Sequence, residues 1–137
     1  MPFSPDLELQ GAIIAWLKAD PNVAALVGNR IYDTVPESPV YPYIVYAGSD
    51  EFADDADCIR TSVITVQIDV WSRAVGYPEA KIIVDAIRNS LHDATLTLSI
   101  NALVTIEVTR LRVLRDPDGL TNHGIAEITS TVERAAA

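Results

Sequence analysis

The chain is short of the groups on which most enzyme chemistry rests. It has one cysteine, Cys58, so no disulfide can close within it, and nothing suggests an oxidising compartment. Its only histidines are His92 and His123, and it has no His-x-x-x-His or Cys-x-x-Cys spacing, which argues against a closed structural zinc site. Six glycines are scattered along 137 residues and none belongs to a phosphate-cradling loop. No apolar run approaches the ~20 residues a membrane-spanning helix needs. Met1 to Asp6 lack the basic region and apolar stretch of a signal peptide, so synthesis in a reducing cytoplasm is expected. Basic residues are scarce too: ten Lys and Arg stand against nineteen Asp and Glu, a formal net charge of -9. Such a surface repels phosphate backbones and anionic lipid, so neither specific nucleic-acid binding nor a membrane partner is expected.

What is there fits a packed α+β domain spanning 1–137. Nearly half the residues are apolar, which favours a core over disorder. Ser4-Pro5-Asp6 signals a helix start, and Leu9, Ile13, Trp16 and Leu17 then share one helical face, which predicts core packing. Asp20-Pro21 opens a short second helix that Gly28 ends. After a proline-rich loop, Tyr43 to Ala47 reads as a strand. Asp50, Glu51, Asp54, Asp55 and Asp57 then place five carboxylates in an expected loop. Thr61 to Trp71 alternates cleanly, with Ile64, Val66, Ile68 and Val70 facing one way, so the sheet should be covered on one side. Gly76-Tyr77-Pro78 starts a second long helix, to about Leu91, with Ile83, Ile87, Ser90 and Leu91 on its inner face and an exposed Lys81–Asp85 pair.

Asn101 to Arg115 reads as a strand in which Val104, Ile106 and Val108 share a face before the apolar set changes parity at Leu111 and Val113. A change of parity flips side chains across the sheet unless a bulge absorbs it, so a bulge is predicted near Thr109-Arg110. Asp116-Pro117-Asp118-Gly119 is a turn, and a last strand runs from about Gly124 to Glu133 before a frayed Ala135-Ala136-Ala137. The expected architecture is a mainly antiparallel sheet with two long helices packed on one face.

No catalytic constellation emerges. A Cys58, His123 and Asp118 triad can be written down, but its spacing gives it no support, and no cofactor is implied. The five clustered acids read first as a solvated segment, with a weak divalent cation site at Asp50, Asp54 and Asp57 as the sharper alternative. Arg110, Arg112 and Arg115 are the one basic concentration; they either pair with the acidic excess or form a patch that docks an acidic surface of another subunit. His92 is placed to meet the last carbonyls of its helix.

Several segments together carry a resemblance. They are Leu26-Val27-Gly28-Asn29-Arg30-Ile31-Tyr32-Asp33, Tyr41-Pro42-Tyr43-Ile44-Val45, Asp69-Val70-Trp71-Ser72, Leu91-His92-Asp93-Ala94 and Leu114-Arg115-Asp116-Pro117-Asp118-Gly119-Leu120-Thr121-Asn122-His123-Gly124. In this order the chain resembles the tail-completion, or tail-terminator, family of siphophages, prophages and gene transfer agents. The resemblance implies a structural protein rather than an enzyme. It implies a ring, usually a hexamer, at the head-proximal end of a tail tube, contacting the tube protein and the head–tail connector or stopper while DNA passes through. It implies assembly in the host cytoplasm and a final place in the virion. A head–tail stopper is the nearest alternative, and a small hydrolase or ligand-binding domain a more distant one. Within a ring, Trp71, Arg110, Arg112 and Arg115 are the expected interface residues, with Val63 and Ile125 exposed on the sheet. The acidic segment, Asp50, Glu51, Asp54, Asp55 and Asp57, is expected to line the channel.

Overall fold

The computed structural model describes residues 3–136. Helix α1 (Pro5–Ala19) starts as its sequence predicts: Ser4 Oγ accepts the Leu7 N–H at 3.1 Å, and Asp6 and Glu8 sit at the positive end of the helix dipole. Leu9, Ile13 and Leu17 are fully buried, each contributing about 1.5–3 kcal/mol through burial. Trp16 is not part of that stripe. It lies at the rim, 36 % exposed, where its indole N–H can donate to Ser90 O at 2.9 Å. Asp20 accepts the Asn22 N–H to start α2 (Pro21–Val27), and Gly28 ends it at a positive φ of 59°.

The sheet is five-stranded and mixed. It comprises β1 (Ile31–Tyr32), β2 (Tyr43–Ala53), β3 (Thr61–Ser72), β4 (Ala102–Arg115) and β5 (Asn122–Glu133), in the order β1-β2-β3-β5-β4. The expectation of a mainly antiparallel sheet with two long helices is corrected in two respects. Ile31-Tyr32 pairs parallel to Ile44-Val45, a two-residue contact too short to register as a periodic pattern. The helical layer holds three helices, not the two long ones alone: the short α2 packs against both α1 and α3 (Pro78–Leu91). Ala80, Ile83, Val84, Ile87 and Leu91 form the buried stripe of α3, which crosses β3, β4 and β5. The expected Lys81–Asp85 pair does not form: Lys81 lies over the Tyr77 ring, and Asp85 accepts from Asn89 Nδ2.

Strand β4 contains the predicted bulge, with a register shift between Val108 and Arg110, and a second between Leu103 and Thr105. The second shift carries Val104 out of the core, so it is exposed while Ile106 and Val108 are buried. Ala135 is tied by its N–H to Asn101 Oδ1, so the expected fraying does not reach it, and Ala137 lies outside the described residues, as do Met1 and Pro2.

Glu8 fastens α1 to the turn before β4. Its carboxylate accepts the backbone N–H groups of Ile100 and Asn101, both at 2.9 Å, and the Asn101 side-chain amide at 3.1 Å. Burial pushes its pKa up, but the hydrogen bonds from Asn101 and Ile100 together outweigh burial and hold it below the ordinary glutamate value. A pKa lowered by folding stabilises the fold above the unfolded value of about 4.3, and that stability is lost as pH falls through the folded value. Thermal melts taken at decreasing pH should therefore show an acid-dependent loss that is smaller in Glu8→Gln. Equal acid sensitivity in the two proteins would exclude this assignment.

Candidate assembly interface

Among the described residues, one face of the sheet carries no helix. From the register, it presents Tyr43, Val45 and Asp50 of β2, and Val63, Gln67, Asp69 and Trp71 of β3. It also presents His123, Ile125 and Glu127 of β5 and Arg110, Arg112 and Leu114 of β4. Val63, Trp71 and Ile125, expected to be exposed, are half-buried, because cross-strand neighbours shield one another.

One end of this face is a built cluster. The rings of Trp71 and His123, directly paired across β3 and β5, stack at 3.9 Å with an interplanar angle of 8°. His123 Nε2 lies 3.1 Å from Asp69 Oδ2, off the line of an aligned N–H hydrogen bond, and Gln67 Nε2 donates to Asp69 Oδ1. Beside them Tyr43 packs between Tyr32 and Tyr41, and the Arg73 guanidinium lies 4.4 Å from the Tyr41 ring centre. Burial first, and the neighbouring Tyr41 second, push the Tyr43 hydroxyl up to about 12, so it stays protonated. One face of the Trp71 indole is thus occupied by His123.

The segment between β4 and β5 is a knot of hydrogen bonds. Asp118 accepts the backbone N–H groups of Leu120 and Thr121 and the Thr121 hydroxyl, and these bonds hold its carboxyl below the usual aspartate range. Asn122 is buried and donates from Nδ2 to Ala74 O at 3.0 Å and to Gly76 O at 2.7 Å, pinning the β3–α3 loop. Two carbonyl oxygens can only accept, so the amide orientation is set by its surroundings. Arg115 stacks over Tyr77 at 4.4 Å.

The three arginines therefore do not form one patch. Arg110 and Arg112 are exposed on the helix-free face, whereas Arg115 pairs with Asn122 on the opposite face and is held by Tyr77. The acidic segment is also differently placed from the expected loop. Asp50 and Glu51 belong to β2, which runs on to Ala53 because its backbone keeps pairing with β3 as far as Ser62. Glu51 points to the helix side and pairs with Arg134 at 2.8 Å. Asp54, Asp55 and Asp57 occupy the exposed tip of the β2–β3 hairpin, closed by the Ala56–Ile59 bridge. Among the described residues no three His, Cys, Asp or Glu side chains are placed to hold a metal ion, and Asp50, Asp54 and Asp57 are strung along the hairpin.

Two residues of the written triad are far apart. Cys58 is at the hairpin tip, and His123 pairs with Trp71 at the other end of β3, about 30 Å away at ~3.3 Å per residue. His92 Nδ1 accepts the Val108 N–H at 3.0 Å, so its ring binds β4, while its backbone N–H donates to the helix carbonyl of Arg88. Sequence reasoning did not single out Asp69 or Asn122. The shared parity of Asp69 and Trp71 placed them on one face, but only the pairing of β5 with β3 brings His123 to both.

Among solved structures, one chain of the virion of a native gene transfer agent particle is 29 % identical, with a TM-score of 0.85, covering 91 % of this chain and 94 % of that one. The gp17 protein of bacteriophage SPP1 is 21 % identical with a TM-score of 0.64 over 96 % of this chain and 94 % of its own, a likeness of fold. No curated protein sequence matches the chain. The family described as tail completion protein gp17 matches residues 11–133, and over that span the five-stranded sheet, the α3 layer and the 115–124 knot are all included. The chain belongs to the tail completion protein gp17 family, a structural component of phage-type tails.

Proposed function

We propose that the chain acts as a single domain that assembles with copies of itself into a ring, hexameric as the family resemblance implies, closing the head-proximal end of a phage-type tail tube. The observation that supports this most is the combined match: a tail-completion family over residues 11–133 and a gene transfer agent virion chain over nearly its whole length. That match also favours tail completion over a head–tail stopper. The ring's partners in this reading are the major tail tube protein below and the connector or stopper above, and its place is the virion.

A ring needs two different surfaces that meet head to tail. The sheet supplies two unlike edges: β2, which beyond Val45 has no strand partner on the β1 side among the described residues, and β4. Six copies at -9 each carry 54 net negative charges, which keeps DNA from binding as it passes through. The reading assigns no catalysis: each histidine is engaged in packing or in a backbone contact, and Cys58 stands alone at a hairpin tip.

Particles made without this chain should contain filled heads lacking tails, beside tubes of uncontrolled length. Electron microscopy of lysates from the deletion strain reads both. Tails of normal length joined to heads in that strain would overturn the assignment.

A further inference from the structure

The hairpin and the β4 arginines are charge-complementary surfaces on one molecule that cannot meet within it. Residues 50–60 hold five carboxylates and one cation, Arg60. Of the five, Glu51 is satisfied by Arg134, while Asp50, Asp54, Asp55 and Asp57 form no ion pair among the described residues. Residues 52–60 are all exposed. Asp54 to Ile59 lie past the last β3–β5 pair, Thr61 with Glu133, so this tip stands off the body of the sheet.

Across the sheet, two strands away, Arg110 and Arg112 project from β4. They too form no ion pair among the described residues, although Arg110 is paired in register with Glu127, and Glu107 precedes Arg110 on the same face of β4. The backbone edge beside them is open in a defined place. The segment after α3 covers β4 at Ile106 and Val108, through Asp93 N–H to Ile106 O and Val108 N–H to His92 Nδ1, and the residues from Thr109 onward continue past that cover. An open edge bearing unpaired cations is a place where another chain can add.

We propose that the acidic β2–β3 hairpin of one copy seats on Arg110 and Arg112 of the next copy, and that this contact sets the head-to-tail direction of the ring. The inference rests on the ring reading above. Copies with a net charge of -9 repel one another, and opposite charges brought together locally offset that repulsion and fix the register of the contact. The two patches lie on opposite sides of the sheet order, β2–β3 against β4, as a heterologous contact demands. Docked there, the hairpin tip is unavailable to line the channel.

The test is a charge exchange. Variant one carries Asp54→Lys, Asp55→Lys and Asp57→Lys; variant two carries Arg110→Glu and Arg112→Glu. Ring formation of each full chain on purified tail tubes is counted by electron microscopy, after circular dichroism confirms folding. Each variant alone should lose about tenfold or more in ring occupancy, because like charges then face each other. An equimolar mixture restores opposite charges at every contact of an even-numbered ring, and so does one chain carrying all five changes; both should return to within about twofold of the unmodified protein. Rings formed equally well by each variant alone would overturn the docking while leaving the ring intact. Normal rings in which the first variant only slows DNA passage would overturn it in favour of a channel-lining hairpin. Absence of rings with the unmodified protein would overturn the ring reading itself, and the docking with it.

Discussion

Replacing Gly124 by alanine should destabilise the fold by about 1–3 kcal/mol, the cost of forcing atoms into a filled core. Gly124 lies on β5 under α3. A Cβ built there would stand 2.7 Å from Val84 Cγ1 and 3.2 Å from Val70 Cβ. Neither neighbour can swing aside, because valine is stiff at χ1 and both side chains are buried. Relief requires α3 to lift from the sheet, which would also loosen Ile83 and Ile87. Chemical denaturation should show a lower midpoint in Gly124→Ala and a larger drop in Gly124→Val. An unchanged midpoint would mean that α3 does not rest on β5 at this distance. Glycine here serves close approach alone, since its φ is not in the left-handed region.

The second large effect is expected at Asn122. Asn122→Ala removes both donors to the Ala74 and Gly76 carbonyls, which should cost about 1–3 kcal/mol. Asn122→Asp should be at least as damaging, because an ionised carboxylate has no donors and would face two carbonyl oxygens. Hydrogen exchange should quicken in the 73–77 loop and at the start of α3 before it does in β3. Protection unchanged there in both variants would show that the loop is held by something other than this amide. Arg73, which stacks on Tyr41, and Tyr77, on which Arg115 stacks, are the two ends of the same loop, so its release would reach the aromatic end of the helix-free face.

Gly124 and Asn122 mark where the sequence stopped being readable. The caps at Ser4 and Asp20, the alternation of β3 and the Thr109 bulge follow from local chemistry or from period, and each appears in the structure. The Arg115–Gly124 segment stood out through family resemblance, but its physical meaning did not. Gly124 needs α3 above it, and Asn122 needs the 73–77 loop beside it; both are contacts between distant parts of the chain. The same limit explains the misplaced acids. Asp50 and Glu51 have low strand propensity, yet pairing with β3 carries β2 through them. Trp16 and Val104 failed for another reason. Each sits one position from a true inner residue, where a helix rim or a second bulge turns a correct period into a wrong face.

If the chain is the piece that closes a tail tube, the tube ends must show it, and imaging those ends is the most direct test. Tubes polymerised from the purified major tail tube protein are incubated with this chain and their two ends are averaged separately by cryo-electron microscopy. A ring of added density with a central opening at one end only, accompanied by an arrest of further growth at that end, is the predicted result. Tubes that keep growing from both ends, with no added density at either, would contradict it.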